Sequence, residues 1–116
     1  MKKFLAIYLG SAAALDGWKS LDEQTRKGKE KQGKEAWMKW VTANQKSIVD
    51  QGSPLGKTKR ASKAGVSDTK NEMAAYTIVQ AETHEAAAKL FENHPHFTIF
   101  PGQSIEIMEC LPLPDM

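Results

Sequence analysis

A single cysteine, Cys110, stands among the 116 residues, so no disulfide can form within the chain. That economy fits a reducing compartment, and the expected location is the cytoplasm. No apolar run is long enough to span a membrane. Neither sign of charge dominates: 16 basic and 14 acidic residues leave a net +2. A dedicated nucleic-acid binder shows a concentrated basic face, so none is expected here. The chain also lacks a Ser-His-Asp order, a phosphate-binding loop, a dinucleotide fingerprint and internal repeats. Its length suits one domain with one core, covering residues 1–116.

What is present reads as an ordinary globular domain, 41% hydrophobic and 26% charged. The start, Met1-Lys2-Lys3 before Phe4-Leu5-Ala6-Ile7-Tyr8-Leu9 and Ala12-Ala13-Ala14, imitates a secretory signal. The apolar run is short for a signal, however, and suits a first β-strand over 3–9 that is apolar on both faces. Residues 10–33 read as a charged loop with a short helix inserted after that strand. Ser20-Leu21-Asp22-Glu23 is a capping-box pattern, and Gly28 and Gly33 each cost a helix about 1 kcal/mol relative to alanine. The interspersed charges there form a solvated face rather than an anion-binding arm.

Residues 34–51 carry Trp37, Trp40, Val41, Asn44 and Ile48 at helical spacing, with Gly52 as a stop. A second strand is expected around 55–61, with a hairpin connection over 57–67. A third strand follows at 73–81. Thr83 is positioned to cap the next helix, Glu85 lies in its first turn, and Ala87, Leu90 and Phe91 make its inner face. Pro95 ends that helix, and a fourth strand runs over 103–111 until Pro112 and Pro114 prevent further pairing. The order is β-α-β-β-α-β, an α+β, ferredoxin-like arrangement with an antiparallel four-stranded sheet. Two helices cover only one sheet face, yet the strands are apolar on both. The open face is therefore expected to join a second copy as a homodimeric α/β barrel.

Several segments resemble the YCII-related proteins, in particular the branch named for a DGPF motif. Ala74-Ala75-Tyr76-Thr77-Ile78-Val79-Gln80-Ala81 resembles that branch's third strand. Val66-Ser67-Asp68-Thr69-Lys70 resembles its Phe-Ala-Glu-Thr-Lys, and Gly102-Gln103-Ser104-Ile105-Glu106-Ile107 its Gly-x-x-Ile-Glu-Ile. Pro95, Trp18 and the helix opening at Ser20-Leu21-Asp22-Glu23 also fit. The resemblance spans nearly the whole chain and implies a dimeric α/β barrel. Two departures limit what it implies about chemistry. The Asp-Gly-Pro-Phe tetrapeptide falls on Lys63-Ala64-Gly65-Val66. The histidine suspected of acid/base work in YCII proteins falls on Trp37, so that chemistry is not carried over.

Candidate chemistry rests on few residues. His94 and His96 bracket Pro95, and either is a candidate for proton transfer beside Glu106. The simpler reading has His94 capping a helix C-terminus and His96 packed at the surface. Two histidines with Glu106 fall short of a metal set, so no metal and no cofactor is expected. Tyr8, Trp37, Trp40, Tyr76 and Met108 are candidate walls of a ligand cleft, provided that the strand registers bring them to one side. Cys110 reads as a buried, inert thiol. The expected function is binding of a small molecule, or cofactor-free catalysis on one, in a cleft of the dimeric barrel. The alternative is a non-catalytic regulatory or interaction protein with a filled barrel.

Overall fold

The computed structural model describes residues 1–114. Alternation in the first apolar run becomes strand β1 (Lys2–Leu9), with Phe4, Ala6 and Tyr8 buried and Leu5, Ile7 and Leu9 half-buried. Helices α1 (Ala12–Lys19) and α2 (Glu23–Ala43) follow, then β2 (Ile48–Pro54). A hairpin of β3 (Thr58–Ser62) and β4 (Gly65–Thr69) precedes β5 (Met73–Ala81), the short helices α3 (His84–Lys89) and α4 (Pro95–Thr98), and β6 (Ser104–Glu109).

The four long strands form one antiparallel sheet in the order β2-β5-β1-β6. Numbered among themselves as first to fourth, that order is 2-3-1-4. It is the ferredoxin-like arrangement, with the β3–β4 hairpin added between its second and third strands.

The region between β1 and β2 differs from its sequence reading. Ser11 accepts from the Ala14 amide at 3.0 Å and caps α1, where a loop was expected. Asp22 caps α2 by accepting from the Thr25 amide at 3.1 Å, while Ser20 closes α1. The charged stretch is therefore the first half of a 21-residue helix. Two features offset its poor propensity. Lys27 pairs with Glu23 one turn away at 2.9 Å, and Gly33, the one buried residue of α2, lets the Phe100 ring lie where a side chain would collide.

The helix also ends earlier than Gly52. Asn44 closes it, its amide and its side chain both donating to the Trp40 carbonyl. Ile48 then opens the edge strand β2 opposite Val79, and Gly52 lies in the irregular stretch of that strand. Helical spacing ran on into Ile48 because both elements offer the core an apolar residue there.

Strand parity divides the side chains between two surfaces. Phe4, Ala6 and Tyr8 lie opposite Glu109, Ile107 and Ile105 on one side and Val79, Thr77 and Ala75 on the other. This face meets the helices, and with Ala81, Ala87 and Phe91 it makes the core. Leu5 and Ile7 lie opposite Met108 and Glu106, and opposite Ile78 and Tyr76. No helix among the described residues covers that second face. The described molecule is correspondingly flat, 55 × 42 × 18 Å. Its radius of gyration of 16.2 Å exceeds the roughly 13 Å expected for a compact domain of this length.

Candidate functional site

Between the sheet and α2, the aromatic and imidazole rings of Tyr8, Trp37, Trp40, Phe91, His94 and His96 pack together. Tyr8 supplies the floor from β1. Its ring stacks on Trp37 with centroids 5.2 Å apart, and His94 and His96 each meet it edge-on, also at 5.2 Å. Thr77 donates to the Gln51 carbonyl at 3.1 Å, so the Tyr8 hydroxyl donates to Thr77 across 3.0 Å. Burial pushes the Tyr8 phenol up to about 12, countered in part by that hydrogen bond.

The turn at His94-Pro95-His96 is a helix N-terminus, not a C-terminal cap. Pro95 takes the first position of α4, and the His94 Nδ1 accepts from the His96 amide at 3.0 Å. The neutral ring must then carry its proton on Nε2, which is buried and has no hydrogen-bond acceptor. Its nearest rings are Trp37 at 4.5 Å and Trp40 at 4.7 Å, both in T-shaped contact with it. Burial, aided by the neighbouring His96, pushes the His94 imidazole down to about 3. His96 is not at the surface either. Its Nε2 meets the Leu9 carbonyl at 2.8 Å, and its ring fills the space beside Gly102, where a Cβ would collide with it. Burial lowers its pKa, partly offset by backbone hydrogen bonds at Leu9 and Ser104.

These groups do not make an acid/base pair with Glu106. That side chain lies on the uncovered face opposite Ile7, together with Tyr76 and Met108, while Tyr8 and the histidines lie across the sheet. The residues proposed as one wall set thus fall into two groups: Tyr8, Trp37 and Trp40 inside the protomer, Tyr76 and Met108 outside it. Parity decides this, because neighbours in register one residue apart face opposite ways. Cys110 is exposed just past β6, contrary to the buried thiol expected. Among the described residues, no three His, Cys, Asp or Glu side chains gather as a metal site. No helix among the described residues is long and apolar enough to cross a membrane.

An open concavity lies one side chain away from the ring cluster. A groove of about 330 Å³ runs along β6, floored by Ile105 and Ile107 and walled by Ala88, Phe91 and Phe97, with Glu92, Gln103 and Ser104 as polar groups. Phe91 is its back wall and touches the cluster, 5.1 Å from Trp40 and 6.1 Å from Tyr8. The sequence marks Phe91 as an inward residue but gives no sign that α3 stops early and leaves Phe97 and Gln103 beside β6. His84 also acquires a structural setting. It stacks on Phe4 at 5.2 Å, lies 2.7 Å from the Ile107 carbonyl through Nε2, and lies 3.5 Å from Glu109.

No family model matches the chain, and no curated protein does. Among solved structures it is similar to the 5-chloro-2-hydroxyhydroquinone dehydrochlorinase of Burkholderia phenoliruptrix AC1100, determined in complex with 2,5-dihydroxybenzoquinone. The match has a TM-score of 0.53 and 14% identity, and covers 90% of this chain and 89% of that one. At that identity it establishes a shared fold, not a shared activity.

Proposed function

We propose that this chain is a YCII-like protein that binds a small ring-sized molecule, working as a homodimer through its uncovered sheet face. The observation that carries the reading is the groove beside β6. Its volume falls at the small end of ligand sites, and it combines apolar walls with a few polar groups. The order and spacing of the YCII-like motifs support the family, and the exposed Cys110 suits a cytoplasmic setting. Tyr8, Trp37, Trp40 and the two histidines form the packed backing of the groove behind Phe91. Tyr76, Glu106 and Met108 face the second subunit. The quinone held by the dehydrochlorinase guides the choice of compounds to test: small hydroxylated rings.

Calorimetric titration with a panel of such rings tests the reading. Ala88 is exposed on the groove wall, so Ala88→Trp fills the site without touching the core. The wild type is expected to bind at least one member, and Ala88→Trp to weaken that binding about tenfold or more. Failure of the whole panel, or equal binding by both proteins, rejects the groove as the site.

A second reading has its own observation. The ring cluster is filled, and both histidines are held neutral by burial. That is the packing expected of a non-catalytic protein with a filled barrel, and an empty result from the panel favours it.

A further inference from the structure

The β3–β4 hairpin belongs to none of the layers described above. Among the described residues it pairs only with itself, leaving the four-stranded sheet between β2 and β5. Nearly every residue from Leu55 to Asp68 is exposed. An isolated two-stranded ribbon is marginal in water and needs a surface to lie on.

Its two faces differ. Register places Ala61 opposite Val66 and Lys59 opposite Asp68, so these four share a face. The other face carries Thr58, Arg60, Ser62, Ser67 and Thr69. The first face holds an internal ion pair, Lys59 to Asp68 at 2.7 Å, and an apolar tip where Val66 is 72% exposed. Lys63 stands in the turn beyond it. Over residues 55–70, five basic residues face one acidic residue, a net +4, while the whole chain is +2. The remaining residues are therefore net −2, and the ribbon and body of this chain are complementary in charge.

The body offers a matching surface. The uncovered sheet face presents Leu5, Ile7, Ile78, Tyr76 and Met108, with Glu106 at its margin on the edge strand β6. Among the described residues, Glu106 has no cation within ion-pair distance. A carboxylate on a face that becomes covered needs a cation, because its desolvation is otherwise uncompensated.

We propose that the β3–β4 hairpin is an intersubunit clasp. Its Ala61–Val66 tip lies along the β6 margin of that face on a second copy of this chain, beside the sheet-to-sheet contact, and brings Lys63 to Glu106 of the partner subunit. This rests on the reading of that face as the subunit interface, and adds the segment that holds it. A basic β-ribbon also suits nucleic acid, but the apolar tip and the small net charge favour a protein face.

Light scattering and limited tryptic digestion of the full chain, each across a concentration series, test the clasp. The wild type is expected to be a dimer in which the bonds after Arg60 and Lys63 are protected, and to be cut there on dilution. Val66→Asp, on an exposed strand, should raise the dimer dissociation constant about tenfold or more without changing the far-ultraviolet circular dichroism. Lys63→Glu and Glu106→Lys should each weaken the dimer, and the double variant should recover it. A dimer unchanged by Val66→Asp and Lys63→Glu, with the arm cut equally at every concentration, overturns the clasp and leaves the sheet-face dimer standing. A monomer at all concentrations overturns both. Protection of the arm only on adding duplex DNA, with affinity falling steeply with salt, overturns the clasp in favour of nucleic acid.

Discussion

His94 gives the clearest case of a residue whose type is visible in the sequence and whose state is not. Histidine beside proline suggested a titrating loop; burial among indole rings makes it a neutral cap with a pKa of about 3. The consequence for stability has a definite sign. An unfolded histidine titrates near 6.5 and the folded one near 3, so between those values the unfolded chain binds the extra proton. Stability is fully present above about pH 6.5 and falls as pH drops toward 3, by up to about 1.4 kcal/mol per pH unit from this group. His96 adds to the slope in the same direction. Urea unfolding at several pH values should show it. His94→Asn keeps a capping acceptor, so it should lower stability at pH 7.5 through the cavity it leaves while flattening the slope below pH 6.5. An undiminished slope would mean that other groups set the acid limit. Gly102 makes a separate prediction. A methyl group there meets the buried His96 ring, and Gly102→Ala should cost about 1–3 kcal/mol in chemical denaturation.

At the scale of elements, α2 shows where local patterning misleads. Its first half has charges and two glycines, which read as loop, yet it is helical because a cap starts it and Phe100 packs on it. The two glycines are not equivalent, and their alanine variants should separate. Gly28 faces open space, so Gly28→Ala should stabilise by up to about 1 kcal/mol. Gly33→Ala gains the same propensity but collides with Phe100, and should destabilise overall. Thermal melts of the two variants check this directly; equal shifts would show that propensity alone governs α2. The Thr83 cap, accepting from the Ala86 amide at 3.0 Å, was legible because a capping residue has a local partner. The end of α2 was not, since Ile48 satisfies helical spacing and strand pairing alike.

For the molecule as a whole, thinness is the governing fact. A layer of helices on a single sheet leaves Leu5, Ile7 and Ile78 half-buried at best, and a second sheet would complete the sandwich. Ile7 sits between Tyr76 and Glu106 on that face. Ile7→Asp places a second carboxylate beside Glu106, and light scattering should then read a monomer where the wild type is expected to read as a dimer. A dimer unaffected by Ile7→Asp would place the interface elsewhere. By itself the sequence determined the ferredoxin-like class, the excess of apolar residues for one core, and the inward ring residues. Each follows from periodicity and composition, which are local properties. It misplaced the second sheet strand, expected around 55–61 and found at Ile48–Pro54, with the β3–β4 hairpin where that strand was expected. Only the tertiary structure decided that Glu106 lies across the sheet from the histidines, that both histidines are buried, and that a groove opens beside β6. Those depend on register and on which layer covers which face, and a shift of one residue along a strand reverses them.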